Sequence, residues 1–400
     1  MSDFSTIQSL GFNGGINIFN QEYVPSNKSN YNLVHKTFFT IPYKIDSIAT
    51  KDDIIVIGIS EIQSVYVYKI IDTVVNLVKI ITPQSSNILG SKLFGKCVKI
   101  NQLGIFISDP LYNGYGSIFL YYSTNINANT WNINPVIIKP FDYKTLTNQC
   151  LFGETFDIND STLYVSAPEY TDTVNNIIGK CYFYSINYNT KYISNIIVSN
   201  NPDKNINGFG NNVVLSSPTT SLVTSINSNV TNGITYTSAG NVYLYTTDSQ
   251  TYTDVLSNPF PKDNSNYGYS IYISGSYMLI SEPNYDEGRI LLYKGGGTKW
   301  EYINYMNISS LKIDSYNDTS EEGLVVFILN TIFLWTYNNI VYVSEITEAG
   351  NIIPSTTDKL INNSYSTYGT LITNIGNNEI IVTGYDGTKS IFDIYTINNV

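Results

Sequence analysis

The amino-acid sequence predicts an all-β fold: a single seven-bladed β-propeller of four-stranded antiparallel blades, the last blade completed by the N-terminal segment. Three observations predict it. One phrase recurs along the chain, helix-forming residues are scarce, and the last copy of the phrase lacks a strand that the first residues can supply.

The phrase runs aromatic-Gly, a short strand, a second apolar strand ending near Pro, a loop, and then Gly with an apolar strand ending in Tyr. It reads Phe94-Gly95, Ile105-Phe106-Ile107-Ser108-Asp109-Pro110 and Gly116-Ser117-Ile118-Phe119-Leu120-Tyr121 in the second copy. The third has Phe152-Gly153, Val165-Ser166-Ala167-Pro168 and Gly179-Lys180-Cys181-Tyr182-Phe183-Tyr184. The fourth has Phe209-Gly210, a divergent middle and Gly240-Asn241-Val242-Tyr243-Leu244-Tyr245; the fifth has Tyr267-Gly268, Ile280-Ser281-Glu282-Pro283 and Gly288-Arg289-Ile290-Leu291-Leu292-Tyr293. Weaker copies open at Gly323 and at Tyr368-Gly369, and a first copy carries Ile54-Ile55-Val56-Ile57-Gly58. Blades are therefore expected to begin near residues 41, 94, 152, 209, 267, 323 and 368 of one domain spanning 1–400.

A unit of four short strands cannot bury both of its faces alone, and a ring of such units buries them while protecting the edges. An open solenoid is the competing arrangement, but it needs polar caps that are not evident. After Gly369 only three strands remain, so residues 1–36, with Gly15-Ile16-Asn17-Ile18-Phe19 and Tyr31-Asn32-Leu33-Val34, are expected to close the last blade.

Charged residues make up 13% of the chain, about half the usual share, and polarity comes instead from Asn, Ser, Thr and Tyr, which suit strands and turns. The net charge of −11 and the lack of clustered cations argue against a nucleic-acid partner. No stretch approaches the roughly 20 apolar residues of a membrane span, and Met1 to Ile16 does not read as a secretory signal. Membrane insertion is not expected, and localisation stays open. Cys97, Cys150 and Cys181 read as buried free thiols.

The combination of aromatic-Gly, a Ser/Ala-Pro pair, and Gly followed by alternating apolar residues and Tyr resembles the FG-GAP repeat of the integrin α-subunit propeller family. That resemblance implies a propeller. It also implies acidic calcium loops between the first two strands of several blades. The matching turns here, Gln102-Leu103, Asn159-Asp160-Ser161, Ser274-Gly275-Ser276 and Gly376-Asn377-Asn378, lack the carboxylates of such a cage, so no metal is expected.

Catalytic patterns are sparse. The one histidine, His35, has no nucleophile elbow to serve, and Gly295-Gly296-Gly297-Thr298-Lys299 lacks the spacing of a phosphate loop and reads as a hairpin turn. Asp286-Glu287 and Glu321-Glu322 are adjacent acids of the kind that is usually solvated. No enzyme activity, no catalytic residue and no cofactor is expected.

Tyrosines follow the second strand of several units: Tyr112, Tyr170 and Tyr285 two residues after a Pro, Tyr385 after Gly384, and Tyr236 in the long loop of the fourth copy. Two readings stay open: a ring of binding tyrosines on one face, or aromatics that pack on their own blades. Two functions follow. One is a structural or protein-interaction propeller with protein partners; its AT-rich-codon composition would suit a virion component of a large DNA virus, docking on other virion or capsid proteins. The alternative is a carbohydrate-binding, lectin-like propeller in which the tyrosines stack on glycans.

Overall fold

The computed structural model describes residues 31–399 except 84–89, 126–129, 133, 147, 188, 191, 205, 312–323, 363–365 and 377. Gly15–Phe19, Glu321-Glu322, Gly323 and Asn377 thus lie outside the described residues.

Runs of Ile, Val, Phe and Tyr between Gly, Asn and Asp turns fold into antiparallel meanders. Blade one comprises Ser47–Lys51, Ile54–Ile59, Ser64–Ile71 and Val74–Ile81, in that order from the axis outwards. Blade two has Val98–Ile100, Gly104–Asp109 and Ser117–Asn125, with its outer strand split into Thr130–Trp131 and Val136–Ile138. Blade three has Phe156–Ile158, Thr162–Asp172, Ile177–Asn187 and Tyr192–Asn200. Blade four, Phe209–Ser217, Thr220–Ser225, Asn241–Thr246 and Asp254–Ser257, carries an extra hairpin, Val230–Asn232 with Ile234–Tyr236. Blade five is Ile271–Ser274, Tyr277–Glu282, Arg289–Gly296 and Lys299–Asn307, and blade six Val326–Leu329, Ile332–Tyr337, Ile340–Ile346 and Ile352–Leu360. Helix is confined to short 3-10 turns such as Ser60–Ile62 among the described residues.

Blade seven joins both ends of the ring. Thr367–Ile375, Glu379–Tyr385 and Ser390–Asn399 form its inner three strands, and Tyr31–Ile41 pairs antiparallel with Ser390–Asn399 from Tyr31↔Asn399 to Ile41↔Ser390. The closing strand thus runs past residue 36 to Ile41.

Burial follows from the radial arrangement. Second strands lie between neighbours on both sides, so all six residues of Ile54–Ile59 and of Gly104–Asp109 are buried; the outer strand Val74–Ile81 is largely exposed. Each blade-to-blade interface has its own apolar cluster, from Phe94, Val65 and Phe119 between blades one and two to Phe392, Ile57 and Tyr68 between seven and one. Cys150 and Cys181 are buried inside such clusters, while Cys97 is half-buried at the start of an inner strand; all three are free.

Hydrogen bonds tie successive inner strands around the axis. Asn101 Nδ2 donates to Asn159 O (3.1 Å), Asn159 Nδ2 to Ser217 O (3.3 Å) and Asn212 Nδ2 to Tyr269 O (2.6 Å). The Asn159 side chain also accepts the N–H groups of Ser161 and Thr162 at 2.9 Å each, which folds its turn. Thr50 donates to Asn374 O across the closure between blades seven and one.

The aromatic-Gly pair opens the inner strands of blades two, three, four, five and seven. Gly95, Gly153, Gly210, Gly268 and Gly369 have φ between 82° and 97°, a left-handed conformation that side chains resist. A Cβ on Gly153 would also press on Ser108 Cβ of the preceding blade at 3.1 Å, so left-handed backbone and close blade packing both require glycine there. Two residues on, a hydroxyl near the end of the second strand accepts the backbone N–H. The pairs are Cys97 to Ser108 (3.0 Å), Thr155 to Ser166 (3.2 Å), Asn212 to Thr224 (2.9 Å), Ser270 to Ser281 (2.9 Å), Val325 to Thr336 (3.0 Å) and Leu371 to Thr383 (3.1 Å). Blade one lacks this bond at the matching place, where Gly58 stands. A Cβ there would lie 2.0 Å from Gly95 O.

Two substitutions test this device by chemical denaturation. Ser281→Ala strands the Ser270 N–H and is expected to cost about 1–3 kcal/mol. Gly153→Ala adds backbone strain of similar size, about 1–3 kcal/mol.

Candidate interaction face

Because each meander is antiparallel, the loops from second to third strand emerge at the same end of the ring as the connections between blades. They are uneven in height. Blade three raises a long hairpin around Asp172–Ile177 and blade four its extra hairpin, whereas blade six turns on Asn338-Asn339 alone, with φ of 50° and 60°. That end is the candidate face.

The five tyrosines singled out in the sequence have different surroundings there. Tyr112 is buried and meets Phe119 edge-on at 5.1 Å. Tyr170 and Tyr285, half-buried, lie over the cations of Lys180 and Arg289, each at 3.7 Å from the ring centre. These three fold back onto their own blades. Tyr236 is half-buried opposite Val230 in the extra hairpin. Tyr385 donates to Gly387 O (2.7 Å), and Lys44 approaches its ring at 5.9 Å.

The cations beneath those rings belong to polar clasps that hold the connections between blades, which sequence reasoning missed. In blade five Glu282 and Arg289 face each other across adjacent strands as a buried ion pair, and Arg289 also donates to Asn258 Oδ1 (3.1 Å) and Phe260 O (3.0 Å). Burial pushes the Glu282 carboxyl up, and Arg289 opposes that shift. In blade three Lys180 and the Tyr182 hydroxyl meet Asp142 at 3.0 and 2.9 Å. In blade two the buried Asp109 accepts from Ser91 Oγ (2.6 Å) and from the N–H groups of Lys92 (2.9 Å), Leu93 and Leu111 (both 3.1 Å). The available signal was positional. Asp109 and Glu282 both precede the proline, and Lys180 and Arg289 both follow the glycine.

The axial channel holds a second group of charges. Lys99 Nζ lies 3.1 Å from Asp157, whose other oxygen accepts the Leu215 N–H at 2.9 Å. Burial works against the Lys99 charge, but Asp157 outweighs it and holds the ammonium well above its ordinary value. Lys96 stands 3.7 Å from Asp46 and 3.8 Å from Glu154. Lys96 and Glu154 occupy the same place in consecutive repeats, as do Lys99 and Asp157, so aligned copies contained this signal too.

Other candidates have structural partners. His35 sits in the closing strand with Nε2 3.3 Å from Asp393 Oδ1 and its ring edge-on to Tyr395 at 5.3 Å. Asp286 pairs with Lys262 at the surface.

No protein-family model and no curated protein sequence matches the chain. Among solved structures, it is similar to the crystal structure of Saccharomyces cerevisiae Sqt1, with a TM-score of 0.51 and 10% identity over 90% of this chain and 98% of that one. A computationally designed protein, Ika8, gives a TM-score of 0.45 at 8% identity, over 88% and 97% of the respective chains. The likeness to Sqt1 is one of fold. This chain is a seven-bladed β-propeller. No helix among the described residues is long and apolar enough to cross a membrane.

The clasp in blade five makes a measurable prediction. Arg289→Ala leaves Glu282 buried without its partner and is expected to cost about 3–5 kcal/mol in equilibrium unfolding. Lys262→Ala removes an exposed pair with Asp286 and an approach to the Tyr285 ring, and is expected to leave the unfolding midpoint nearly unchanged.

Proposed function

We propose that this propeller is a non-catalytic protein-interaction scaffold that docks its partners on the face carrying the second-to-third strand loops. One observation carries the reading: the groups that usually do chemistry are committed to the frame, while the loops above them vary from blade to blade. Asp109, Glu282 and Arg289 fasten connections, and His35 braces the ring closure. Varied loops on a rigid ring suit recognition of a surface, because little order is lost on docking. Descent from the FG-GAP propellers and a place in the virion of a large DNA virus are the finer forms of this proposal, supported by the repeat phrase and by the composition respectively.

A carbohydrate-binding role is the second reading, favoured by aromatic exposure on blade five. Phe260 is 41% and Tyr305 40% exposed, 5.3 Å apart beside Tyr285, and such rings can stack on sugars.

Affinity capture from the native source and a glycan array separate the two. The scaffold reading expects a stoichiometric protein partner whose capture is unaffected by free sugars and weakened by loop changes on the candidate face. Glycan binding that Phe260→Ala plus Tyr305→Ala abolishes, with no protein partner retained, would replace it with the lectin reading.

A further inference from the structure

A recess of about 370 Å³ opens on the candidate face at the mouth of the channel, lined mainly by blades six, seven and one, with Tyr269 of blade five and Lys96 of blade two. The two-residue turn of blade six, Asn338-Asn339, lies on its lining. Tyr337, Asn338, Lys44, Asp46, Tyr385 and Lys96 are among the residues that line it. At the small end of the range for ligand sites, the recess suits a few residues of extended chain rather than a folded element.

Its charge differs from that of the molecule. The chain carries a net −11, yet the recess has two lysines to one carboxylate. Asp46 is largely spent on its own loop, since one oxygen accepts both the N–H and the hydroxyl of Ser60 at 2.8 Å. Lys96 stands 3.7 Å from the other oxygen and 3.8 Å from Glu154, both beyond a good hydrogen bond, and can turn to a new acceptor. Lys44 is exposed, and its ammonium approaches the ring of Tyr385 at 5.9 Å. Two ammonium groups that line one recess with tyrosine rings form a cradle for a carboxylate carried on a short chain with some apolar or aromatic surface.

We propose that this recess binds an acidic peptide segment, an Asp, Glu or C-terminal carboxylate held by Lys44 and Lys96 and flanked by Tyr337 and Tyr385. The inference rests on the scaffold reading and says which part of the face makes the specific contact. Low-dielectric walls on either side strengthen the attraction relative to open surface, and salt should weaken it.

The test is selection of phage-displayed heptapeptides on the intact protein, on Lys44→Glu and on Lys299→Glu. Lys299 is exposed at the far end of blade five, on the opposite side of the ring. Melting curves first confirm that the variants fold. Peptides selected on the unaltered protein are expected to be enriched in Asp and Glu, to weaken with salt, and to lose about tenfold or more in affinity with Lys44→Glu but not with Lys299→Glu. No acidic enrichment, or equal binding by Lys44→Glu, overturns the proposal. Neutral peptides that still compete with a captured protein partner would sink the recess while leaving the scaffold reading standing. Binding of sialylated glycans, lost in Lys44→Glu, with no peptide selected, would overturn both.

Discussion

The ring depends on how each innermost strand begins. An N–H that would otherwise lack a partner is accepted by a Ser or Thr hydroxyl from the neighbouring strand, after a left-handed glycine has swung the chain in from the rim. Buried backbone groups must be satisfied, and a ladder of main-chain bonds cannot start where the chain is still turning. The hydroxyl bridges that gap. Six of seven blades use it among the described residues, so the repeat preserves a hydrogen bond as much as an apolar pattern. In blade one Gly58 leaves room for the carbonyl of Gly95 instead, and Ser47 Oγ donates to that carbonyl (3.3 Å).

Much of this was legible in the sequence. Aromatic-Gly, the Ser before the Pro neighbourhood and the terminal Tyr all mark positions whose neighbours are set by the repeat itself, so aligned copies reveal the meander and the ring. The polar clasps were harder to read. Glu282 and Arg289 sit seven residues apart with a loop between, and only the antiparallel register shows that they face each other in the interior. Asp142 is harder still, because it lies in a connection without repeated form and meets Lys180 through tertiary placement alone.

The tyrosines show where periodicity stops deciding between roles. Tyr112, Tyr170 and Tyr285 share one position in the repeat, and they share one behaviour, folding back over the third strand of their blade. Tyr385 follows a glycine rather than a proline and leads into a shorter turn, and it is the one of the five that lines the recess. The recess is also lined by the two-residue turn of blade six, an irregularity that a search for likeness between copies passes over.

The pairing of Tyr31–Ile41 with Ser390–Asn399 has a consequence for biosynthesis. The contact between His35 and Asp393 spans 358 residues. During translation the closing strand, with Val34 and Phe38 partly apolar and exposed even in the finished ring, must wait for its partner until residue 399 has left the ribosome. Such long-range pairing is slow to form and leaves a sticky edge uncovered meanwhile. The last-made strand is therefore also the one that completes the first-made edge and closes the ring.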